Sequence, residues 1–269
     1  MPFDPSQQHD IRLTTLAQLA PLGRWQGELA HDRGEDLLIW ITRGQGVVLM
    51  DGARQGFGAH NALFVPSRHL LALDPGRQAV GLALLIPPGI TPLLPGEPHH
   101  LRIRDGAAQG DLTGQLEALG RECRSARLLR DSALAARATL VAVWLRRQIA
   151  ESEAPEPASA ARRLSQAYCA RLSAGFASGD SPAAHAAALG VSTEHLARVC
   201  RAETGRSAAE LLDERRLHAA RLLLAATDAS VHDIARHLGF AGTPAFSRFV
   251  RRLCGTAPTA LRRQSQAAG

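Results

Sequence analysis

The chain contains no lysine: all 31 of its positive residues are arginine, set against 25 aspartates and glutamates for a net charge of +6. Guanidinium stays charged far above neutrality, so the sequence pI of about 10.3 overstates a modest excess of charge. Cysteine is scarce, and Cys123, Cys169, Cys200 and Cys254 are scattered without a C-x-x-C pair or a histidine at ligand spacing. That excludes a zinc-finger reading and a disulfide framework, and makes these thiols small core residues. Long apolar runs are missing too. The longest, Val80 to Ile86, is far short of the roughly 20 residues a spanning helix needs. The polar start, with Asp4, Gln7, Gln8 and Asp10, does not read as a signal peptide, so no membrane partner and a cytoplasmic location are expected. No Ser/His/Asp spacing, phosphate loop or dinucleotide fingerprint occurs, and neither catalysis nor a cofactor is expected.

What the chain does have is 45% apolar residues over 269 positions, enough for one large or two ordinary domains with their own cores. The charge is unevenly placed. Residues 1–157 carry 16 arginines against 17 acids, net −1, whereas 158–269 carry 15 against 8, net +7. A basic half beside a neutral one suits a protein with one domain on a polyanion.

The stretch 151–160 is rich in Pro, Glu, Ser and Ala and lacks an apolar period, which marks a linker. Before it, residues 10–105 alternate short strand-like runs (Leu37–Thr42, Val47–Asp51, Ala62–Val65, Val80–Ile86) with Gly turns, the pattern of a small antiparallel barrel or sandwich. Residues 106–150 switch to helical spacing. Leu112, Leu116 and Leu119, then Leu134, Ala138, Val141 and Leu145, form stripes that either pack on the strands or also pair with a second chain.

Residues 161–264 hold a repeat. Leu189-Gly190-Val191, Leu196, Arg198, Val199, Arg201, Gly205 and Leu211 recur as Leu238-Gly239-Phe240, Phe246, Arg248, Phe249, Arg251, Gly255 and Leu261, at an offset of 49 and then 50. Each copy reads as a short helix ending in Gly, a turn, and a capped second helix, giving helix-turn-helix units at 183–204 and 231–254. Ser181-Pro182, Ser230 with Asp233, and Thr243-Pro244 supply the expected caps, and Ser207 with Glu210 opens a connecting helix to about Ala226. On each second helix the apolar residues share one face. The other face carries Thr193, Glu194, Ala197, Arg198 and Arg201, or Thr243, Pro244, Ser247, Arg248, Arg251 and Arg252, which suits helices lying in a major groove. The connecting helix has the length to set two such helices about one duplex turn apart.

Leu189-Gly190-Val191-Ser192, His195-Leu196, Glu203-Thr204-Gly205-Arg206-Ser207, Ala220-Arg221-Leu222-Leu223, Leu238-Gly239-Phe240, Phe246-Ser247-Arg248-Phe249 and Pro258 resemble the C-terminal domain of the AraC/XylS family of bacterial transcription regulators. The resemblance implies seven helices, recognition positions at Thr193, Glu194, Ala197, Arg198, Thr243, Pro244, Ser247 and Arg248, and double-stranded promoter DNA and RNA polymerase as partners. Ala245, where an aromatic is commoner, and Leu261, where Tyr is usual, depart from the pattern. The small Ala245 and the proline leave the second unit fewer base contacts, so its expected role is mainly phosphate anchoring through Arg251 and Arg252.

The front half resembles the cupin-like sensor domain often joined to this module, through Phe64-Val65-Pro66 followed by His69. The whole is therefore expected to be α+β: a cupin-like antiparallel β-barrel with a helical dimerisation segment, then an all-α DNA-binding domain. That resemblance implies a small-molecule effector in a barrel mouth lined by Trp40, Leu49, Phe57, Phe64 and Leu84, and a homodimer. Only His31, Glu35 and His69 could be enlisted for a cupin metal site, and no metal is expected. His99-His100 reads as an exposed loop. A cupin-type metal enzyme fused to a DNA-binding domain, and a non-enzymatic partner-binding regulator, are the alternative readings.

Overall fold

The computed structural model describes residues 10–152 and 157–267. Residues 153–156, the middle of the expected linker, lie outside the described residues.

Among the described residues the front region holds eight strands: β1 (Arg12–Thr15), β2 (Asp36–Arg43), β3 (Gly46–Met50), β4 (Ala53–Phe57), β5 (Asn61–Val65), β6 (Ala72–Pro75), β7 (Val80–Ile86) and β8 (His99–Arg102). A 3-10 turn at Ala17–Leu19 and a short helix α1 (Trp25–Glu28) separate β1 from β2. Every pairing is antiparallel, in a five-stranded sheet ordered β1-β7-β2-β5-β8 and a three-stranded sheet ordered β4-β3-β6. Here the expected antiparallel β domain takes the form of two facing sheets.

Strand alternation assigns the faces. Leu37, Ile39 and Ile41 of β2 point between the sheets, where they meet Val48, Met50, Phe57, Leu63 and Leu85. Their neighbours Leu38 and Trp40 point the other way, onto helices α2 (Gly106–Cys123) and α3 (Arg130–Glu151). Leu112, Leu116, Leu119, Leu134, Ala138, Val141 and Leu145 are buried in that outer layer, so the stripe seen in the sequence is consumed by the chain's own sheet. At roughly 1.5–3 kcal/mol for each large apolar side chain buried, it anchors the helical pair firmly. His99 and His100 lie in β8, not in a loop: His100 is held between the Gln55 side chain at 2.9 Å and that of Asn61 at 2.6 Å. The Pro98 boundary starts a strand there because β5 offers a free edge.

Among the described residues seven helices follow: α4 (Ala160–Gly175), α5 (Pro182–Ala188), α6 (Thr193–Thr204), α7 (Ala208–Ala226), α8 (Val231–His237), α9 (Thr243–Cys254) and α10 (Pro258–Ala267). Their seat on the front region is the outer face of the three-stranded sheet. Leu49, Leu70 and Ala72 of the front half share one core with Tyr168, Leu172, Leu196, Cys200, Leu211 and Leu212. The β3–β4 turn makes the approach close: Asp51 and Gly52 have φ of 50° and 66°, the pair a tight type I′ hairpin requires. A Cβ on Gly52 would lie 2.6 Å from the Gln166 backbone nitrogen, so glycine is needed there on both counts.

Candidate nucleic-acid interface

Each unit is set by its caps. Ser181 accepts from the Ala184 N–H with Pro182 at the first helical position, and Ser192 accepts from the His195 N–H at 3.1 Å. Gly205 and Gly255, at φ of 75° and 71°, end α6 and α9 in the left-handed conformation. One cap differs from expectation. Gly242, not Thr243, is the N-cap of α9, and no side chain caps it; Thr243 enters the helix as its first residue, with Pro244 second. Ser207 and Glu210 form a full capping box, and their mutual bonds hold the Glu210 carboxyl below its usual range.

On α6, Leu196, Val199 and Cys200 are buried; on α9, Phe246, Phe249 and Val250 are buried. None of the eleven outward residues named from the sequence is buried: Thr193, Ala197, Thr243 and Ser247 are half-buried, and Glu194, Arg198, Arg201, Pro244, Arg248, Arg251 and Arg252 are exposed. The arginines are not equivalent. Arg198 donates to His195 Nδ1 at 2.9 Å, Arg201 reaches Glu210 at 3.4 Å, and Arg252 pairs with Asp213 of α7 at 2.8 Å. Among the described residues, Arg248 and Arg251 have no ion-pair partner. The 19 residues of α7, at 1.5 Å each, span about 28 Å between the two units.

Other arginines of the basic half have structural work, which sequence reading missed. Arg206 pairs with Glu214 at 3.0 Å and donates to the Glu28 carbonyl, and Glu214 in turn accepts from the Ala30 N–H. Arg215 is buried, lies over the Phe176 ring and pairs with Asp32 at 2.5 Å. Arg216 donates to the Phe176 and Asp180 carbonyls. The available signal was weak: Arg215 and Arg216 occur mid-helix among leucines, with nothing local to say which of them faces protein.

Alongside Arg215 two histidines meet. His31, before β2, stacks on His218 of α7 with ring centroids 4.2 Å apart and planes 10° off parallel. His31 Nδ1 bonds the Leu29 carbonyl and His218 Nε2 bonds that of Gln26. Burial, then the charge of each other and of Arg33 and Arg215, pushes the His31 pKa well below its ordinary value; burial with Arg215, Arg33 and Arg221 does the same for His218.

The five residues named for an effector mouth do not converge. Trp40, Phe64 and Leu84 face the helices, Phe57 lies between the sheets, and Leu49 faces the C-terminal helices. They belong to three separate cores because strand alternation sends neighbours to opposite sides. The three residues considered for a metal have other partners: His31 stacks as above, buried Glu35 accepts from Arg12 at 2.7 Å, and His69 Nδ1 bonds the Ser67 carbonyl. Among the described residues no group of three His, Cys, Asp or Glu could hold a metal ion, and no helix is long and apolar enough to cross a membrane. Cys169 and Cys200 are buried and their pKa values are pushed up to about 12, chiefly by burial, which leaves them unreactive thiols.

Residues 185–264 match a family model described as a helix-turn-helix domain. No curated protein matches the chain. Similar solved structures include ToxT from Vibrio cholerae, 9% identical over 94% of this chain and 97% of that one, with a TM-score of 0.41. The C-terminal domain of AraT, a response regulator from Geobacillus stearothermophilus, is 28% identical over 41% of this chain and 88% of that one, with a TM-score of 0.36. The DNA-binding domain of AdpA, solved in complex with a target DNA, is 27% identical over 39% of this chain and 93% of that one, with a TM-score of 0.35.

Proposed function

We propose, from the premise that residues 185–264 are a helix-turn-helix domain of the AraC/XylS type, that the protein is a cytoplasmic transcription regulator and not an enzyme. It reads promoter DNA with α6 and α9 in successive major grooves. One observation carries this reading: the duplicated second helices bury their apolar faces and present arginines on the opposite side. In this reading Arg198, near the start of α6, and Arg248, near the start of α9, read guanine edges, whereas the later Arg201, Arg251 and Arg252 hold phosphates. Thr193, Glu194, Ala197, Thr243, Pro244 and Ser247 complete the two contacting faces. Residues 10–105 serve as the regulatory domain and 106–150 as the helical segment. A homodimer would use the exposed side of α3, where Leu140 lies, because the buried stripe is taken. Control by a small effector or a second copy, and contact with RNA polymerase, follow from the same family reading.

Footprinting of the purified protein on DNA flanking its own gene, with a salt titration and a scrambled duplex alongside, tests this directly. The expected result is protection of about two helical turns per chain, steeply salt-dependent and at least about 10³-fold tighter than on the scrambled duplex. Equal binding to both duplexes would overturn sequence-specific regulation.

A further inference from the structure

Arg215 is engaged by Asp32 at the seam between the front region and the C-terminal helices, but Arg198 of α6 is exposed and takes its partner from its own helix. That partner is His195, one turn earlier. Residues three apart share a helix face, and Arg198 Nη2 lies 2.9 Å from His195 Nδ1, the length of a well-formed hydrogen bond. A guanidinium can only donate, so the bond requires a lone pair on Nδ1 and puts the ring proton on Nε2. His195 is itself held: its backbone N–H donates to the Ser192 cap at 3.1 Å, which fixes the first turn of α6, and the residue is half-buried. The acceptor is also neutral. Arg201 and Arg252 are held by carboxylates of α7, Glu210 and Asp213, which offset their charge. An imidazole restrains the guanidinium without offsetting it, and leaves N–H groups enough for the bidentate grip of a guanine edge.

The duplication supplies a contrast within the chain. The offset of 50 that matches Arg198 to Arg248 also matches His195 to Ala245, which is half-buried like its counterpart. A methyl group accepts nothing, so Arg248 lacks the tether that Arg198 has. We propose that His195 is a positioning residue for base reading, which orders the Arg198 guanidinium before DNA arrives and makes the first unit the more discriminating of the two. The inference deepens the regulator reading and rests on it. An untethered arginine can swing to a neighbouring phosphate when the base beneath it is wrong, and so recovers part of the lost binding. A tethered one has less freedom to do so, and with the right base it has less ordering left to undergo.

Competition titrations of the full chain test this on the tightest-binding duplex selected from a random-sequence pool and on its single-base variants. Arg198→Ala first locates the base pair that Arg198 reads, as the position whose discrimination is lost. At that pair His195→Leu is expected to lower the ratio of correct to incorrect binding by about two- to tenfold, with the ratios at other positions unchanged. His195→Asn, whose amide oxygen reaches the place of Nδ1, should restore the ratio to within about twofold of the parent. Ala245→His is the reciprocal change and should sharpen the pair read by Arg248 by about two- to tenfold. A histidine that merely supports the helix would instead weaken every duplex alike and would not be rescued by asparagine. Such an even loss, or an unchanged ratio in His195→Leu, overturns the proposal. A parent that binds all duplexes equally overturns the regulator reading, and this inference with it.

Discussion

The two helix-turn-helix units share a sequence pattern and a local geometry but not a neighbourhood. The first closes its core against the front region, with Leu196, Cys200 and Leu211 packed beside Leu49, Leu70 and Ala72. The second closes on its own helices, with Phe246, Phe249 and Val250 against Leu223, Leu224, Ile234 and Leu238, and Leu29 at its margin. Their caps differ in the same sense: Ser192 caps α6 with its side chain, whereas α9 starts at Gly242 without such a bond. A duplicated unit has thus been split into a coupled copy and a largely self-contained one. A signal from the front region reaches α6 through a shared core, and reaches the core of α9 mainly through α7, with Leu29 and Phe176 at its margin.

The largest expected effects break the cores. Phe246→Ala should cost about 3–5 kcal/mol and Leu196→Ala about 2–5 kcal/mol. Of the three tryptophans, Trp40 and Trp144 are buried in the front half's outer core, whereas Trp25 lies under Arg221 of α7, so in a Trp25→Phe background the emission reports the front half. In urea titrations, Leu196→Ala should shift both the tryptophan transition and the helical circular-dichroism transition. Phe246→Ala should shift only the latter, and a shift of both by Phe246→Ala would contradict the split. Asp32→Asn comes next. It strands buried Arg215 and should weaken the seating of the C-terminal helices by about 3–5 kcal/mol, read as faster amide exchange in α4 and α7.

On DNA the expected losses are smaller and differ in kind. Arg198→Ala should cost about 1–3 kcal/mol on a specific site and relax one base position, while Arg251→Ala should weaken all sequences alike and reduce the salt slope by about one. Competition titrations against single-base variants of the site distinguish the two.

Acid provides a milder probe of the seam. His31 and His218 both have pKa values below the ordinary 6.5 while stacked, so the seated state takes up protons less readily than the released state. Seating is therefore complete above about pH 6.5 and weakens as pH falls below it, where the released histidines protonate first. Burial sets this sign, and the charges facing the pair reinforce it: Arg33 and Arg215 for both rings, and Arg221, held over Trp25, for His218. Limited proteolysis between pH 7.5 and pH 5 should show faster cleavage near the seam at the lower pH. That dependence should be reduced in His218→Phe, which keeps the stack but cannot titrate.

Much of this was legible in the sequence because it depends on local chemistry. Ser181, Ser192 and Ser207 cap where their spacing says they should, Ala226 ends α7, and Leu134, Ala138, Val141 and Leu145 share a buried face. Other features depend on what lies across from a residue. Trp40 and Leu49 both alternate as interior residues must, but a period of two identifies a face without naming its partner, so a single pocket was expected where there are three cores. The Asp32–Arg215 pair and the His31–His218 stack join residues more than 180 positions apart, and no periodicity links them. The cap of α9 moved by one residue because Gly242 and Thr243 are both acceptable at that position.

The proposed function has two arginine-bearing helices of one chain reading one duplex. Its most direct test is the footprint length on the tightest-binding duplex selected from a random-sequence pool, compared between the parent protein and a variant combining Arg248→Ala, Arg251→Ala and Arg252→Ala. Protection of about two helical turns that contracts to about one in the variant, on the side nearer the first unit, is the predicted result. A footprint of unchanged length in the variant, or of a single turn in the parent, would contradict it.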